Sequence, residues 1–273
     1  LKIACVVPIY KGGDKKVFKN YRPVSVLPVF SKVLEKLLYN RTIKFINKHE
    51  ILYPYQFGFK KGHSTYMAVS TMLEKVVQAL DNNEYVIALY LDFAKAFDTV
   101  DHNILMLKLS HYGIRGDVQK LFKHYMHDRK QFVKYDNVKS ECRSIICGVP
   151  KGSILGPLLF LLYINDLSYV SNKLFTIMFA DDTSMFIHGS NIIALENIMN
   201  VELERVTEWL QANKLSLNVS KTHSMFFSNN AKLINRKNLI QINGTVIETV
   251  HKTRFLGVVI DNKLTWKYHI DTL

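Results

Sequence analysis

Cysteine is scarce in this chain: Cys5, Cys142 and Cys147 are three in 273 residues, with no C-x-x-C pair and no histidine at zinc-site spacing. That pattern excludes a disulfide framework and a structural zinc centre, and it reads as reduced thiols of an intracellular protein. Long apolar runs are missing as well. The longest, Ile154 to Ile164, is interrupted by Gly156 and Pro157 and is shorter than the roughly 20 residues that cross a bilayer, so no membrane partner is expected. No charged-then-apolar signal segment opens the chain, which starts at Leu1 rather than Met and reads as an excerpt of a longer polypeptide. Acidic residues are the minority, 23 Asp and Glu against 36 Lys and Arg, for a formal net charge of +13.

What is present fits a globular chain. Hydrophobic residues make up 48% and mean hydropathy is +0.01, enough to bury a large core and too much for disorder. The positive surplus is uneven. Residues 1–61 carry 13 Lys and Arg against Asp14, Glu35 and Glu50, so a basic lobe facing a polyanion is expected there rather than a diffuse coat.

Three carboxylates organise the rest. Phe175, Ile177 and Phe179 alternate with Thr176 and Met178, and Met185 and Ile187 alternate with Phe186 and His188, the period of two half-buried strands. Asp181 and Asp182 then lie at a hairpin tip. Paired aspartates alone suit any turn, but Glu84 to Asp92 reads as a nearly continuous apolar run, a strand buried on both faces that ends in a charge. A carboxylate there needs a partner, since an isolated buried anion is too costly. Three on one sheet edge suit hard divalent cations, and two such ions are the usual machinery of nucleotidyl transfer.

Around this point the pattern predicts a strand over Val6–Tyr10, an extended segment Tyr21-Arg22-Pro23, and a helix opened by Ser31. That helix is expected to pack Leu34, Leu37, Leu38 and Phe45 while Lys32, Lys36, Arg41, Lys44 and Lys48 face outward. Gln56 to Ser64 reads as a phosphate- or base-contacting loop, with Phe57 and Phe59 open to a core role. Ser64 caps a helix striped by Val69, Met72, Leu73, Val76, Val77 and Leu80. Helices follow over 104–112 and 118–127, then a hairpin of 131–135 with 142–147, a bent loop 148–153 and an apolar helix 157–166. Leu195, Met199, Leu203, Val206 and Leu210 stripe a further helix whose polar side is assigned Glu196, Glu202, Glu204 and Glu208. Ser224–Phe227 returns as a strand. The reduced order, β-α-β-β-α-β, is the split ferredoxin-like unit.

With this order in hand the chain resembles the reverse transcriptase domain of a non-LTR, LINE-like retrotransposon. The fold this implies is α+β, a polymerase right-hand palm with helical fingers and the start of a thumb. It implies fingers at 1–84, the first palm strand and catalytic motif at 85–104, a fingers/palm connection at 105–147, palm at 148–250, and a primer-grip hairpin with the truncated start of a thumb at 251–273. Leu91 to Asp98 resembles the first catalytic motif, which makes Asp92 a metal ligand and lays Phe93 along the incoming triphosphate. Phe97 matches the aromatic that blocks a ribose 2′-hydroxyl. Phe179-Ala180-Asp181-Asp182 resembles the second metal motif, with Phe179 in place of its tyrosine.

Gly148 to Pro157 resembles the loop and helix start that hold nucleotide and template, with Lys151 before Gly152 where the family has Gln. Asn213 to Thr222 resembles the motif whose lysine, here Lys221, protonates the leaving pyrophosphate. Thr253 to Val258 resembles the primer-gripping hairpin, centred on Phe255, Leu256 and Gly257. Arg22 and Lys60 match fingers residues that approach template and triphosphate, Lys60 standing where Arg is common and giving a point charge instead of a fork. The resemblance implies RNA-directed DNA polymerisation with two Mg²⁺ ions, or Mn²⁺ in their place. It implies an RNA template, a DNA primer or target, dNTP, and endonuclease and C-terminal domains in the same longer polypeptide. It also implies a nuclear site of action after assembly as a cytoplasmic ribonucleoprotein. The competing readings are an RNA-copying RNA polymerase and a catalytically weak nucleic-acid-binding remnant.

Overall fold

A computed structural model describes residues 2–230, 233, 236 and 239–272. The expected palm span 148–250 therefore includes six residues outside the description, 231, 232, 234, 235, 237 and 238. The chain runs β1 (Ile3–Tyr10), β2 (Tyr21–Val26), α1 (Val29–Lys48), α2 (Thr65–Asp81), β3 (Tyr85–Leu91), α3 (His102–His111), α4 (Gly116–Met126), β4 (Lys130–Tyr135), β5 (Val138–Lys139), β6 (Arg143–Ser144), α5 (Leu155–Ile164), β7 (Phe175–Phe179), β8 (Asp182–Gly189), α6 (Ile192–Ala212), β9 (His223–Phe227), β10 (Gln241–Ile242), β11 (Thr245–Val246), β12 (Glu248–Thr249), β13 (Lys252–Phe255), β14 (Val258–Asp261) and α7 (Lys267–Ile270). It divides into two compact units, residues 1–52 with 95–164 and residues 53–94 with 165–273. Among the described residues no helix is long and apolar enough to cross a membrane.

The second unit holds the sheet β12-β9-β3-β8-β7. β3 pairs antiparallel with both β8 and β9, and β7 with β8. With α5 and α6 in their places along the chain, this strand order is the split ferredoxin arrangement read from the sequence. Ser64 caps α2 by accepting from the Met67 N–H, and α2 lays Ala68, Val69, Met72 and Val76 against Val86, Ala88 and Tyr90. Ile87 and Leu89, on the opposite face of β3, are also fully buried, and α6 packs against β3 and β8. The expectation of half-buried strands for β7 and β8 is corrected by this two-sided cover: Thr176–Met178 and Thr183–Ile187 are buried throughout.

A second correction concerns α6. Glu196 and Glu202 are buried, not on the polar side with Glu204 and Glu208. Arg236 grips Glu196 through two bonds of 3.0 and 2.9 Å, and Arg205 reaches Glu202 at 3.0 Å. Fork-on-carboxylate pairing at Glu196 and a charge-assisted bond at Glu202 make burial tolerable.

The first unit carries the sheet β2-β1-β4-β5, with β6 also on β4. The parallel pairing of β1 with β4 links segments more than a hundred residues apart, and local periodicity carries no sign of it. The expected hairpin partner 142–147 shrinks to β6, and Ile146 is exposed. On α1 the five cations do face outward, but Leu34 and Leu37 are exposed too. Its buried face is Ser31, Glu35, Thr42 and Ile46, so the apolar stripe predicted for it is wrong.

One strap fixes the second unit's aspartate hairpin. The Met178 N–H donates to Tyr55 O at 3.0 Å and the Phe57 N–H to Met178 O at 2.8 Å, laying Tyr55–Gly58 along β7. Buried Gln56 then accepts from the N–H groups of Gly58 and Ala180 on one side-chain oxygen, at 2.9 and 3.0 Å. A Cβ on Gly58 would stand 2.3 Å from the Ala180 nitrogen, a contact no rotamer relieves. Gly58→Ala is therefore expected to destabilise the fold by roughly 3 kcal/mol. Urea unfolding checks this, and a midpoint unchanged from wild type refutes the strap.

Candidate active site

Register delivers the carboxylates. Leu91 lies opposite Thr183 on β8, and Phe179 opposite Asp182, so Asp92 leaves β3 beside Asp182. Between the strands, Ala180 turns with φ +58°, a left-handed conformation that costs a non-glycine residue about 1 kcal/mol and is held by Gln56. Asp92 is braced from behind. Its N–H donates to Thr222 Oγ1 at 3.3 Å, and its carbonyl accepts from the Asn218 N–H at 2.7 Å. Phe93, buried, bridges to Leu217, and the Ala94 N–H donates to Ser216 O at 2.8 Å.

These acids repel one another. Asp182 keeps accessible surface, yet its carboxyl is pushed up to about 6, first by the protein packed around it, then by the charges of Asp181 and Asp92. Beneath it the buried hydroxyls of Thr183 and Ser184 make no hydrogen bond among the described residues. No cage of three or more His, Cys, Asp or Glu is preformed among those residues. The crowded, all-oxygen donor set nonetheless suits a hard divalent cation, which relieves the repulsion.

Asp92, Asp182, Lys221, His223 and Phe255–Gly257 line one cleft of about 300 Å³. Lys221 is exposed, on a loop tied by its N–H to Asn218 O at 3.0 Å. β13 and β14 form the expected hairpin, turning through Leu256 and Gly257 at φ +48° and +91°, as a two-residue hairpin loop requires. Phe255 is buried beside Tyr90, ring centroids 5.6 Å apart. His223 escaped the sequence reading. Its ring stacks on Tyr90, its Nδ1 lies 2.9 Å from Lys221 O and its Nε2 2.6 Å from Thr253 Oγ1. No local pattern distinguishes it from any strand-end histidine. Lys60, in the same unit, is not on this cleft; partial burial lowers its pKa.

The remaining predicted residues belong to the first unit. The Ser25 N–H donates to Lys151 O at 2.7 Å, and a Cβ on Gly152 would meet Ser25 O at 2.6 Å, so β2, which carries exposed Arg22, presses on the Lys151-Gly152 loop. The Val149 N–H donates to Phe97 O at 2.8 Å, while the Phe97 ring stacks on Phe160 at 4.2 Å. Lys151 Nζ pairs with Asp98 Oδ2 at 2.6 Å. The sequence reading aimed that ammonium at a nucleotide and missed Asp98 as its partner.

Residues 10–260 match the family described as reverse transcriptase (RNA-dependent DNA polymerase). The chain belongs to the reverse transcriptase family. It is 27% identical to an RNA-directed DNA polymerase from the mobile element jockey of Drosophila melanogaster, over the whole chain. It is 30% identical, over 98% of its length, to a probable RNA-directed DNA polymerase from the transposon X-element of the same species. These relatives fit the non-LTR resemblance, and the chain spans 30% of the length of each. Among solved structures it is similar to apo telomerase from Candida tropicalis truncated from its C-terminal domain, with TM-score 0.64 and 14% identity over 97% of this chain and 54% of that one. The fold is that of a right-hand polymerase.

Two outcomes are expected of this reverse transcriptase domain. If Asp182 is a cation ligand, its raised carboxyl must lose its proton first, so Mg²⁺ affinity measured by calorimetry should hold above about pH 6 and fall below it. Without cation the sign reverses: the charged form is disfavoured in the fold, so the Asp182 contribution to stability is lost as pH rises from 3.8 through about 6. Asp182→Asn should remove both trends, and a wild-type affinity flat down to pH 5 contradicts the assignment. For the ion pair, a double-mutant cycle of Lys151→Gln and Asp98→Asn should give a coupling of about 1 kcal/mol in unfolding experiments. Additive effects would show that the pair contributes nothing.

Proposed function

We propose that this chain performs RNA-directed DNA polymerisation, extending a DNA primer on an RNA template with dNTP. The crowding of Asp92, Asp181 and Asp182 at one end of the β3/β8 register carries this reading. These three would hold two divalent ions, Mg²⁺ or Mn²⁺, which when bound supply charge to the attacking hydroxyl and the leaving pyrophosphate. Lys221, on the same cleft, is assigned to give a proton to that pyrophosphate. Phe255, Leu256 and Gly257 form the primer grip. The backbone at Phe93 lies against the triphosphate, and Arg22, Lys60, Lys151 and Gly152 contribute its further contacts, Lys151 with its charge shared by Asp98. Phe97 shuts out the ribose 2′-hydroxyl, its ring fixed by Phe160.

In this reading the basic residues before position 61 are fingers, the β9-β3-β8-β7 sheet is palm, and α7 begins a thumb. The spans drawn from the motifs stand as our proposal for the domain limits. Endonuclease and C-terminal domains complete a longer polypeptide, which acts in the nucleus after assembling with its RNA in the cytoplasm. Neither the RNA-polymerase reading nor the remnant reading is favoured: Phe97 leaves no polar group for a ribose, and Asp98 compensates the Lys151 departure.

Asp92→Asn or Asp181→Asn should abolish primer extension, at least a thousandfold, while RNA affinity changes less than twofold. An amide removes the charge that holds the ions, whereas template affinity comes from exposed cations such as Lys36, Lys44 and Lys48 on α1. Extension assays and filter binding on the polypeptide that carries these residues test this. Extension by either variant at the wild-type rate ends the proposal.

A further inference from the structure

Glu35 is fully buried, far in sequence from every candidate catalytic acid and used by none of the chemistry above. A charge in that position demands partners. Two are in place. The Ile154 N–H donates to Glu35 Oε2 at 2.7 Å, and the Tyr125 hydroxyl donates to Oε1 at 2.8 Å. Tyr125 is held as a hydroxyl at any ordinary pH, because burial and then the Glu35 charge raise its pKa. Buried Arg129 sets its guanidinium 4.8 Å from the centroid of the Tyr125 ring, so a cation backs the pair. Ile154 is the residue just before α5, where backbone N–H groups have no intrahelical acceptor and the helix dipole favours an anion. Glu35 thus acts as a cap supplied from another helix.

That junction ends the Gly148–Ser153 loop. Ser153 Oγ donates to Pro150 O at 2.8 Å and accepts from the Gly156 N–H at 2.9 Å, so the loop's own bonds secure its turn. Glu35 on α1, with Tyr125 on α4 behind it, ties the junction to those helices. We infer that Glu35 is a positioning residue for the nucleotide-handling loop: it pins Ile154 at the loop's end and, together with the Ser25 N–H on Lys151 O, fixes where Lys151 and Gly152 stand. The inference rests on the polymerase reading for what the loop handles, and on the structure alone for the pin.

The test compares Glu35→Met, which keeps bulk without an acceptor, with Glu35→Gln, which keeps one oxygen for the Ile154 N–H. Both are made in the polypeptide carrying residues 1–273. Hydrogen exchange over 148–156 reads the pin. The apparent KM for dNTP against kcat in primer extension reads its consequence. Glu35→Met should lower Ile154 protection about tenfold and raise KM about tenfold, with kcat changed less than threefold, while Glu35→Gln restores both to within about threefold of wild type. Unchanged exchange at 148–156 overturns the pin. Looser exchange with unchanged KM, or a lowered thermal midpoint alone, overturns the positioning role. Should Glu35→Met not fold, Tyr125→Phe removes one of the two bonds and is judged by the same readings, with shifts of about threefold expected. A wild type that exchanges slowly at Ile154 but extends no primer defeats the polymerase reading, and exchange in the variants still judges the pin.

Discussion

The register between β3 and β8 is the constraint on which everything else in the site depends. Side chains alternate along a strand, so a slip of one residue would turn Asp92 to the far face and bring a different β8 residue beside it. Several features resist that slip. The buried run Val86–Leu91 tolerates no polar face in its place, and β9 holds the same strand from the other side through five paired residues. The Gln56 strap holds the hairpin where β7 becomes β8. The carboxylates are brought together by an apolar register that gains nothing from their charge.

How much of this could be read from sequence follows from the range of each force. The β3 strand, the aspartate hairpin and α2 with its Ser64 cap declared themselves, because propensity, capping and two-residue periodicity act within a few neighbours; the β13–β14 turn came from the family resemblance. The strands β1 and β4 were each readable, but their parallel pairing was not, since pairing across some 125 residues leaves no local trace. Site residues followed the same rule. Asp92, Asp181 and Asp182 stood out because charge at a strand end contradicts its surroundings, whereas His223 depends on Tyr90, Thr253 and Lys221, which meet it only in the fold.

The misread residues share one cause. Glu196 and Glu202 were placed by default on a solvated face and Glu35 was given no place on its helix, since a lone carboxylate in a helix is nearly always exposed. Each is buried against donors from elsewhere in its unit: the Ile154 N–H and Tyr125 for Glu35, Arg236 for Glu196, Lys173 together with Arg205 for Glu202. The counterpart error on α1 is the apolar stripe. Leu34 and Leu37 occupy helical positions that mark a core face in periodicity, yet the helix turns Glu35 inward because α5 presents an unsatisfied N–H there. One buried hydrogen-bonded charge outweighs the pattern.

Departures from local consistency gather where the acids do. Ala180 takes a left-handed turn, Gly58 admits no side chain, the Thr183 and Ser184 hydroxyls are buried without a partner among the described residues, and Asp182 is crowded by two like charges. A sequence selected for stability alone would relax each of them, by glycine at 180, by apolar residues at 183 and 184, and by an amide at 182. Their clustering at the aspartate hairpin and the strap beside it places the strain at the candidate site. The covered core under α2 and α6 offsets it, and cation binding would offset it further. The same reasoning separates Lys151 from these residues: its charge is matched by Asp98 at hydrogen-bonding distance, so that departure from the family carries no comparable strain and is compensated within its own unit.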